Sequence, residues 1–128
     1  LKVVIAGSRD VFDFKILQSA IDDAGFDITE VVCGDAPGMD KCGECWAKQH
    51  EIPVKHFPAE WGDLDAPNAL IRENSKGKYN ARAGFDRNVK IAEYADAAIV
   101  ITNGEDRGCL HLIEQVENLE KQTYIWEI

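Results

Sequence analysis

Val3-Val4-Ile5-Ala6-Gly7-Ser8-Arg9-Asp10 is the stretch on which the reading of this chain turns. An uninterrupted apolar run ends abruptly in a small, polar, cationic loop. That is the pattern of a buried strand delivering a loop to the end of a sheet. The pattern recurs. Glu30-Val31-Val32-Cys33 runs into Gly34-Asp35-Ala36-Pro37-Gly38-Met39-Asp40, and Ala98-Ile99-Val100-Ile101 runs into Thr102-Asn103-Gly104-Glu105-Asp106-Arg107-Gly108. Each loop leads into a helical pattern. Strand, glycine loop, helix, repeated along one chain, describes a ligand crevice at the carboxyl ends of parallel strands.

Outward from these junctions the elements follow. The first strand covers about residues 2–6. Asp13 is placed to cap a helix whose apolar stripe is Ile16, Leu17, Ala20, Ile21 and Ala24, and Gly25 ends it. A second strand covers about residues 28–33. A second helix starts near Pro37 and runs to about His50, with Met39, Cys42 and Trp46 at helical spacing. The third strand is Val54 to Phe57. Residues 58–83 break the rhythm with Pro58, Gly62, Pro67 and Gly77, so a long loop excursion is expected, with a short helix over 68–73. The next helix follows Gly84 and is expected to bury Phe85, Val89 and Ala92. A fourth strand covers about 97–102, a helix about 109–121 turns Leu112, Ile113, Val116 and Leu119 inward, and Thr123 to Trp126 forms the last strand. Right-handed crossovers then predict an α/β fold, a single doubly wound parallel sheet over residues 1–128, with strand order 3-2-1-4-5. The switch point falls between the first and fourth strands, which sets Arg9 and Arg107 across the crevice from one another.

Composition narrows the partners. The 128 residues suit one domain, and the 45% hydrophobic content suffices for a core. No apolar run reaches membrane-spanning length and no charged-then-apolar leader opens the chain, which predicts a soluble cytoplasmic protein without a membrane partner. The net charge of -9 argues against long nucleic acid, which needs a basic stripe. It leaves room for a small anion in one cationic pocket. Of the five arginines, Arg9, Arg87 and Arg107 stand at predicted loop–helix junctions, while Arg72 and Arg82 lie in the central connection. A guanidinium is a planar, permanently charged fork suited to phosphate. Cys42-Gly43-Glu44-Cys45 has the spacing of a metal or redox pair. A structural zinc takes about four ligands, however, and His50, His56 and His111 stand apart from it in sequence. A redox pair sits at a helix N-terminus, whereas this one falls inside a predicted helix. The pair therefore reads as half-buried helix residues and Cys33 as core, and no metal site is expected.

The loops point to phosphate chemistry. Glycines admit a ligand close to the backbone, and helix N-termini offer free N–H groups and partial positive charge. Gly7, Ser8 and Arg9, then Gly34 and Gly38, then Gly104, Arg107 and Gly108 together suit a phosphate or pyrophosphate. No G-x-x-x-x-G-K-[ST] occurs, and the first loop has a single glycine where a dinucleotide fingerprint needs three, so neither P-loop chemistry nor a nicotinamide cofactor is expected. Asp35, Asp40, Glu105 and Asp106 share the loops. Asp35 and Asp40 are candidates to accept hydrogen bonds from ribose or base, with helix capping as the alternative use. Trp61 and Tyr79 are candidates for stacking on a base.

With these residues in place the sequence resembles the SLOG superfamily, the SMF/DprA–LOG group of Rossmann-like domains. It looks nearest to the YspA/YpsA-related branch, small proteins often found in bacteria and their phages. The matching pieces are Val4 to Arg9, Gly34 to Asp40, Phe57-Pro58-Ala59-Glu60-Trp61, Gly77-Lys78, Ala83 to Asn88, Ala95-Asp96 and the Gly104 to Gly108 loop. The resemblance implies binding of a nucleotide or nucleotide-derived phosphorylated molecule, for sensing, carrying or sequestering it. It carries the family's GSR and glycine-rich positions onto Gly7, Ser8, Arg9, Gly34, Gly38 and Asp40, and its RN pair onto Arg87 and Asn88. LOG relatives cleave the N-glycosidic bond of nucleoside monophosphates, which makes an N-glycosidase or phosphoribohydrolase the alternative, with Asp40 or Glu114 as its carboxylate. Here Gly108 is followed by Cys109, Leu110, His111 and Leu112, and no acid comes until Glu114, a departure that speaks against hydrolysis. Single-stranded DNA binding, as in the DprA relatives, is the second alternative, opposed by the acidic balance. Residues 65–76 exceed the usual spacing from the tryptophan to Gly-Lys. The fold often pairs through its helices, so self-association stays open.

Overall fold

Alternation along the strands sorts the core onto two sides of one sheet. In the computed structural model, which describes residues 1–128, β1 is Lys2–Gly7. Its Val3 and Ile5 belong to one apolar cluster and its Val4 and Ala6 to another. Since successive side chains of a strand point to opposite faces, both faces of this strand are covered. Each fully buried valine or isoleucine contributes about 1.5–3 kcal/mol relative to exposure.

The chain then forms α1 (Phe14–Ala24), β2 (Glu30–Cys33), α2 (Met39–Gln49) and β3 (Val54–His56). After the excursion come α3 (Ala83–Tyr94), β6 (Ala97–Thr102), α4 (Arg107–Asn118) and β7 (Gln122–Glu127). The excursion itself supplies β4 (Ile71–Asn74) and β5 (Gly77–Asn80). The main sheet is entirely parallel, in the order β3-β2-β1-β6-β7. Once the hairpin strands are numbered, this is the order expected from the sequence. α1 and α2 cover the face carrying Val3, Ile5, Val31 and Ile99, while α3 and α4 cover the face carrying Val4, Val32, Ala98 and Val100. Asp13 caps α1 as expected, accepting hydrogen bonds from the amides of Lys15 and Ile16, and Gly25 ends that helix in the left-handed conformation.

Three local expectations need correction. Residues 71–74 form a strand of an antiparallel hairpin rather than part of a short helix over 68–73. Ser75-Lys76 makes the turn, with Asn74 Oδ1 accepting from the Lys76 amide at 2.8 Å, and no helical apolar face exists there to compete. On α3 the inward residues are Asn88, Ile91 and Ala92, whereas Phe85 and Val89 are exposed. The helix begins at Ala83 and presents a face rotated from the predicted stripe. Leu119 is also exposed, because α4 ends at Asn118 and Leu119 is its C-cap. No helix is long and apolar enough to cross a membrane.

Candidate functional site

The crevice opens where β1 and β6 lie side by side and their chains depart in opposite directions. A cavity of about 260 Å³ is lined there by Gly7, Arg9, Gly34, Asp40, Arg87 and Asn88, with Trp61, Phe85, Asp106 and Gly108 completing the mouth. A shallower groove continues from it toward the hairpin. Its walls carry Arg9, Arg72, Lys76, Lys78, Arg82 and Arg107, together with Trp61, Tyr79 and Phe85. No carboxylate lines this groove. Arg9 and Arg107 share it, as their places at the switch point suggested.

All five arginines border these two adjoining spaces, and none forms an ion pair with a carboxylate. With 23 acidic residues in the chain, five unpaired guanidinium groups in one place is not the pattern of ordinary surface salt bridges. Arg87 is half-buried. Its Nη1 donates to the Gly34 carbonyl at 2.5 Å, while its buried Nε has no partner. The Ser8 hydroxyl is likewise buried without a partner. Buried polar atoms are nearly always satisfied; of these two residues, Arg87 lines the cavity and Ser8 lies between the lining residues Gly7 and Arg9.

Two of the loop glycines are also required by close packing. Gly38 has φ +76, and a Cβ there would lie 2.4 Å from the Arg9 carbonyl carbon and oxygen. The loop after β1 therefore rests against the start of α2, whose Met39 amide donates to the Ser8 carbonyl at 3.2 Å. A Cβ on Gly34 would meet Arg87 Nη1 at 2.7 Å, so the absence of a side chain gives that guanidinium its place. Gly104 is exposed, outside the lining of both spaces.

Three of the four loop acids are occupied, and Glu105 is exposed. Asp40 is buried in the cavity floor and accepts from the Gly7 amide at 3.3 Å. Burial pushes its carboxyl up to about 6, against the pull of the Arg87 guanidinium and of the Gly7, Ala36 and Gly34 amides. Asp106 caps α4, taking hydrogen bonds from the Gly108 and Cys109 amides. Asp35 turns away from the cavity toward His56. Glu114 is exposed on α4 and lines neither space. Asn88 is buried and donates from Nδ2 to the Gly108 carbonyl at 3.1 Å, which ties α3 to the first turn of α4. Beside it Phe85 stacks on His111 at 4.3 Å, and burial lowers the His111 pKa. Cys42 is buried in the core and Cys45 half-buried, both as free thiols.

Two residues that matter here escaped sequence reasoning. Asn80, almost fully buried, accepts from the Leu70 and Arg82 amides through Oδ1, and its own amide donates to the Trp61 carbonyl at 2.7 Å. It thus anchors the base of the hairpin to the cavity mouth. His56 contacts Cys33, Asp35 and Glu44, which are distant in sequence. An asparagine between a strand and a helix, and a histidine at a strand end, carry no motif by which they would stand out.

Comparison with known proteins bears on this geometry. Residues 1–63 match the family described as YspA, cpYpsA-related SLOG. That stretch includes Gly7 to Arg9, Gly34 to Asp40 and Trp61, and stops before the hairpin and α3. Among solved structures, DNA processing protein A (DprA) from Streptococcus pneumoniae superposes with a TM-score of 0.69 at 19% identity over 97% of this chain. The chain spans about half the length of that protein, 49%. At that identity the likeness concerns the fold. No curated protein sequence matches the chain.

Proposed function

With the chain a SLOG-superfamily domain of Rossmann-like fold, we propose that it binds a nucleotide or nucleotide-derived phosphorylated small molecule at the carboxyl ends of its strands, sensing, carrying or sequestering it. The observation that carries this reading is the gathering of Arg9, Arg72, Arg82, Arg87 and Arg107 around one cavity and groove with no acid paired to any of them. Phosphate oxygens satisfy guanidinium forks in pairs, and Arg87 Nε and the hydroxyl of Ser8, which stands between the lining residues Gly7 and Arg9, are left without protein partners. Trp61, Tyr79 and Phe85 offer aromatic faces for a base. Asp40 and Asp106 are held by backbone amides, and Glu114 lies off the cavity. This favours binding over glycosidic cleavage, which needs a carboxylate free to face the anomeric carbon.

The test is thermal unfolding against nucleoside mono-, di- and triphosphates, NAD, ADP-ribose and cyclic nucleotides. A ligand at 100 times its dissociation constant adds about 2.7 kcal/mol. The expected result is a selective rise in melting temperature that Arg9→Ala abolishes without altering the unliganded protein. A panel without any shift, or one on which Arg9→Ala has no effect, counts against the proposal.

The groove favours a second reading, a short single-stranded oligonucleotide. Interleaved cations and aromatic rings suit a strand whose bases stack in turn, and a local cationic groove serves even where the net charge is negative. Steeply salt-dependent oligonucleotide binding, with no response to mononucleotides, would select it.

A further inference from the structure

Outside the crevice, the end of β2 and the end of β3 bring together a set of side chains that the nucleotide reading does not use. Cys33 and His56 are direct partners in the parallel register, so their side chains leave the sheet on the same side. Cys33 Sγ lies 3.3 Å from His56 Nδ1 and 3.5 Å from Asp35 Oδ1, and those two atoms are 2.5 Å apart. On the far side of the ring, His56 Nε2 lies 3.3 Å from Glu44 Oε1 of α2.

We propose that Cys33 Sγ, His56 Nδ1 and Asp35 Oδ1 bind a single zinc-type divalent cation, with Glu44 orienting the histidine and solvent completing the coordination. The distances suit it. Zinc bonds of about 2.0 Å to nitrogen and oxygen and about 2.3 Å to sulfur place tetrahedral ligand atoms roughly 3.3–3.5 Å apart. Both separations from sulfur already match, and only the nitrogen–oxygen pair must open, by under about 1 Å.

Proton accounting points the same way. Glu44 has a buried carboxylate that also meets Lys41, so its contact with His56 is filled by an N–H on Nε2. In neutral imidazole that leaves a lone pair on Nδ1, aimed at a carboxylate oxygen and a sulfur. A divalent cation between them would be met by all three atoms at once. One thiolate and one carboxylate balance its charge, and binding releases the thiol proton to solvent. The Glu44–His56–ion sequence is the carboxylate–histidine arrangement that commonly orients a metal-bound imidazole. The mix of sulfur, nitrogen and oxygen selects a borderline-soft ion over magnesium or calcium, which take oxygen. Asp35 and His56 are exposed, so an ion has a way in.

The probe is Co²⁺ added to the reduced, metal-free 128-residue chain. The expected result is one equivalent bound, with a thiolate-to-cobalt charge-transfer band in the near ultraviolet and visible bands typical of tetrahedral cobalt, displaced by Zn²⁺. His56→Ala, Asp35→Asn and Cys33→Ser should each weaken binding by 100-fold or more, and Glu44→Gln by about 10–100-fold with the spectrum retained. Cys45→Ser should bind as the unaltered chain does. His56 and Asp35 are exposed, so their variants stay informative even if Cys33→Ser proves unstable. Absence of the thiolate band, or a band that survives His56→Ala and Asp35→Asn, overturns the proposal and leaves the cluster as a protonated histidine between carboxylates.

Discussion

The two walls of the crevice are built on opposite principles. One wall is the pair of loops after β1 and β2, where Gly7, Gly38 and Asp40 pack backbone on backbone with almost no solvent exposure of Asp40 or Ser8. The other is the β4–β5 hairpin, whose strand residues Ile71 to Asn74 are all exposed and whose attachment runs through Asn80. The first wall supplies shape and Arg9, and the second supplies further charge, through Arg72, Lys76, Lys78 and nearby Arg82. A glycine at the first wall is therefore constrained by sterics, and a cation at the second by what it offers a ligand. Substitutions should separate the two cleanly.

The largest effect is expected at Gly38. Alanine there places a Cβ against the Arg9 backbone at a positive φ, and neither segment has room to move. Gly38→Ala should cost about 3–5 kcal/mol in urea unfolding. A loss under about 1 kcal/mol would break the claim that this wall is sterically fixed.

Asp40 tests the same wall through pH. Its folded pKa of about 6 lies above its ordinary value of 3.8. Between those values the folded protein holds a proton that the unfolded chain has released, so this group's contribution to stability falls as pH rises from about 4 to 6. Asp40→Asn keeps an acceptor for the Gly7 amide without the charge. It should flatten that fall and leave the variant more stable at pH 7, by at most about 3 kcal/mol. Denaturant melts of both proteins at pH 4 and pH 7 check it, and an unchanged difference between the two pH values would show that the carboxylate is solvated.

Gly34→Ala sharpens the contrast, because it touches a charge held by the steric wall. The added methyl group displaces the Arg87 guanidinium. The expected outcome is a nucleotide affinity about tenfold weaker with a loss of stability nearer 1 kcal/mol. At the hairpin, by contrast, Arg72→Ala should weaken binding of the same ligand several-fold while the unfolding free energy stays within about 0.5 kcal/mol. If Arg72→Ala destabilises the fold by more than that, the hairpin is a structural element and not a separable binding wall.

Much of this molecule was legible from the chain alone, for identifiable reasons. Both faces of β1 and β6 are covered, so their apolar runs are uninterrupted and their strand character is plain. Asp13 and Gly25 announce the ends of α1 by local chemistry that needs no tertiary partner. The hairpin is hard to see in the sequence because its strands have no buried face to impose a period, and its pairing is signalled only by the Asn74 to Gly77 turn. On α3 the buried position next to Gly108 is taken by Asn88 instead of an apolar residue. The hydrophobic stripe therefore pointed to Phe85 and Val89, which face solvent and the crevice.

The sequence by itself determined the parallel sheet, its strand order and the crevice at the switch point, because burial on two faces and the handedness of crossovers leave little else. Only the tertiary structure decided what the loops do. Whether a glycine meets a phosphate or another backbone, whether an aspartate is free or held by amides, and whether five scattered arginines converge are questions of distance between remote segments. The same holds for Cys33, Asp35, Glu44 and His56, whose spacing along the chain matches no metal motif and which become neighbours only when β2, β3 and α2 pack together.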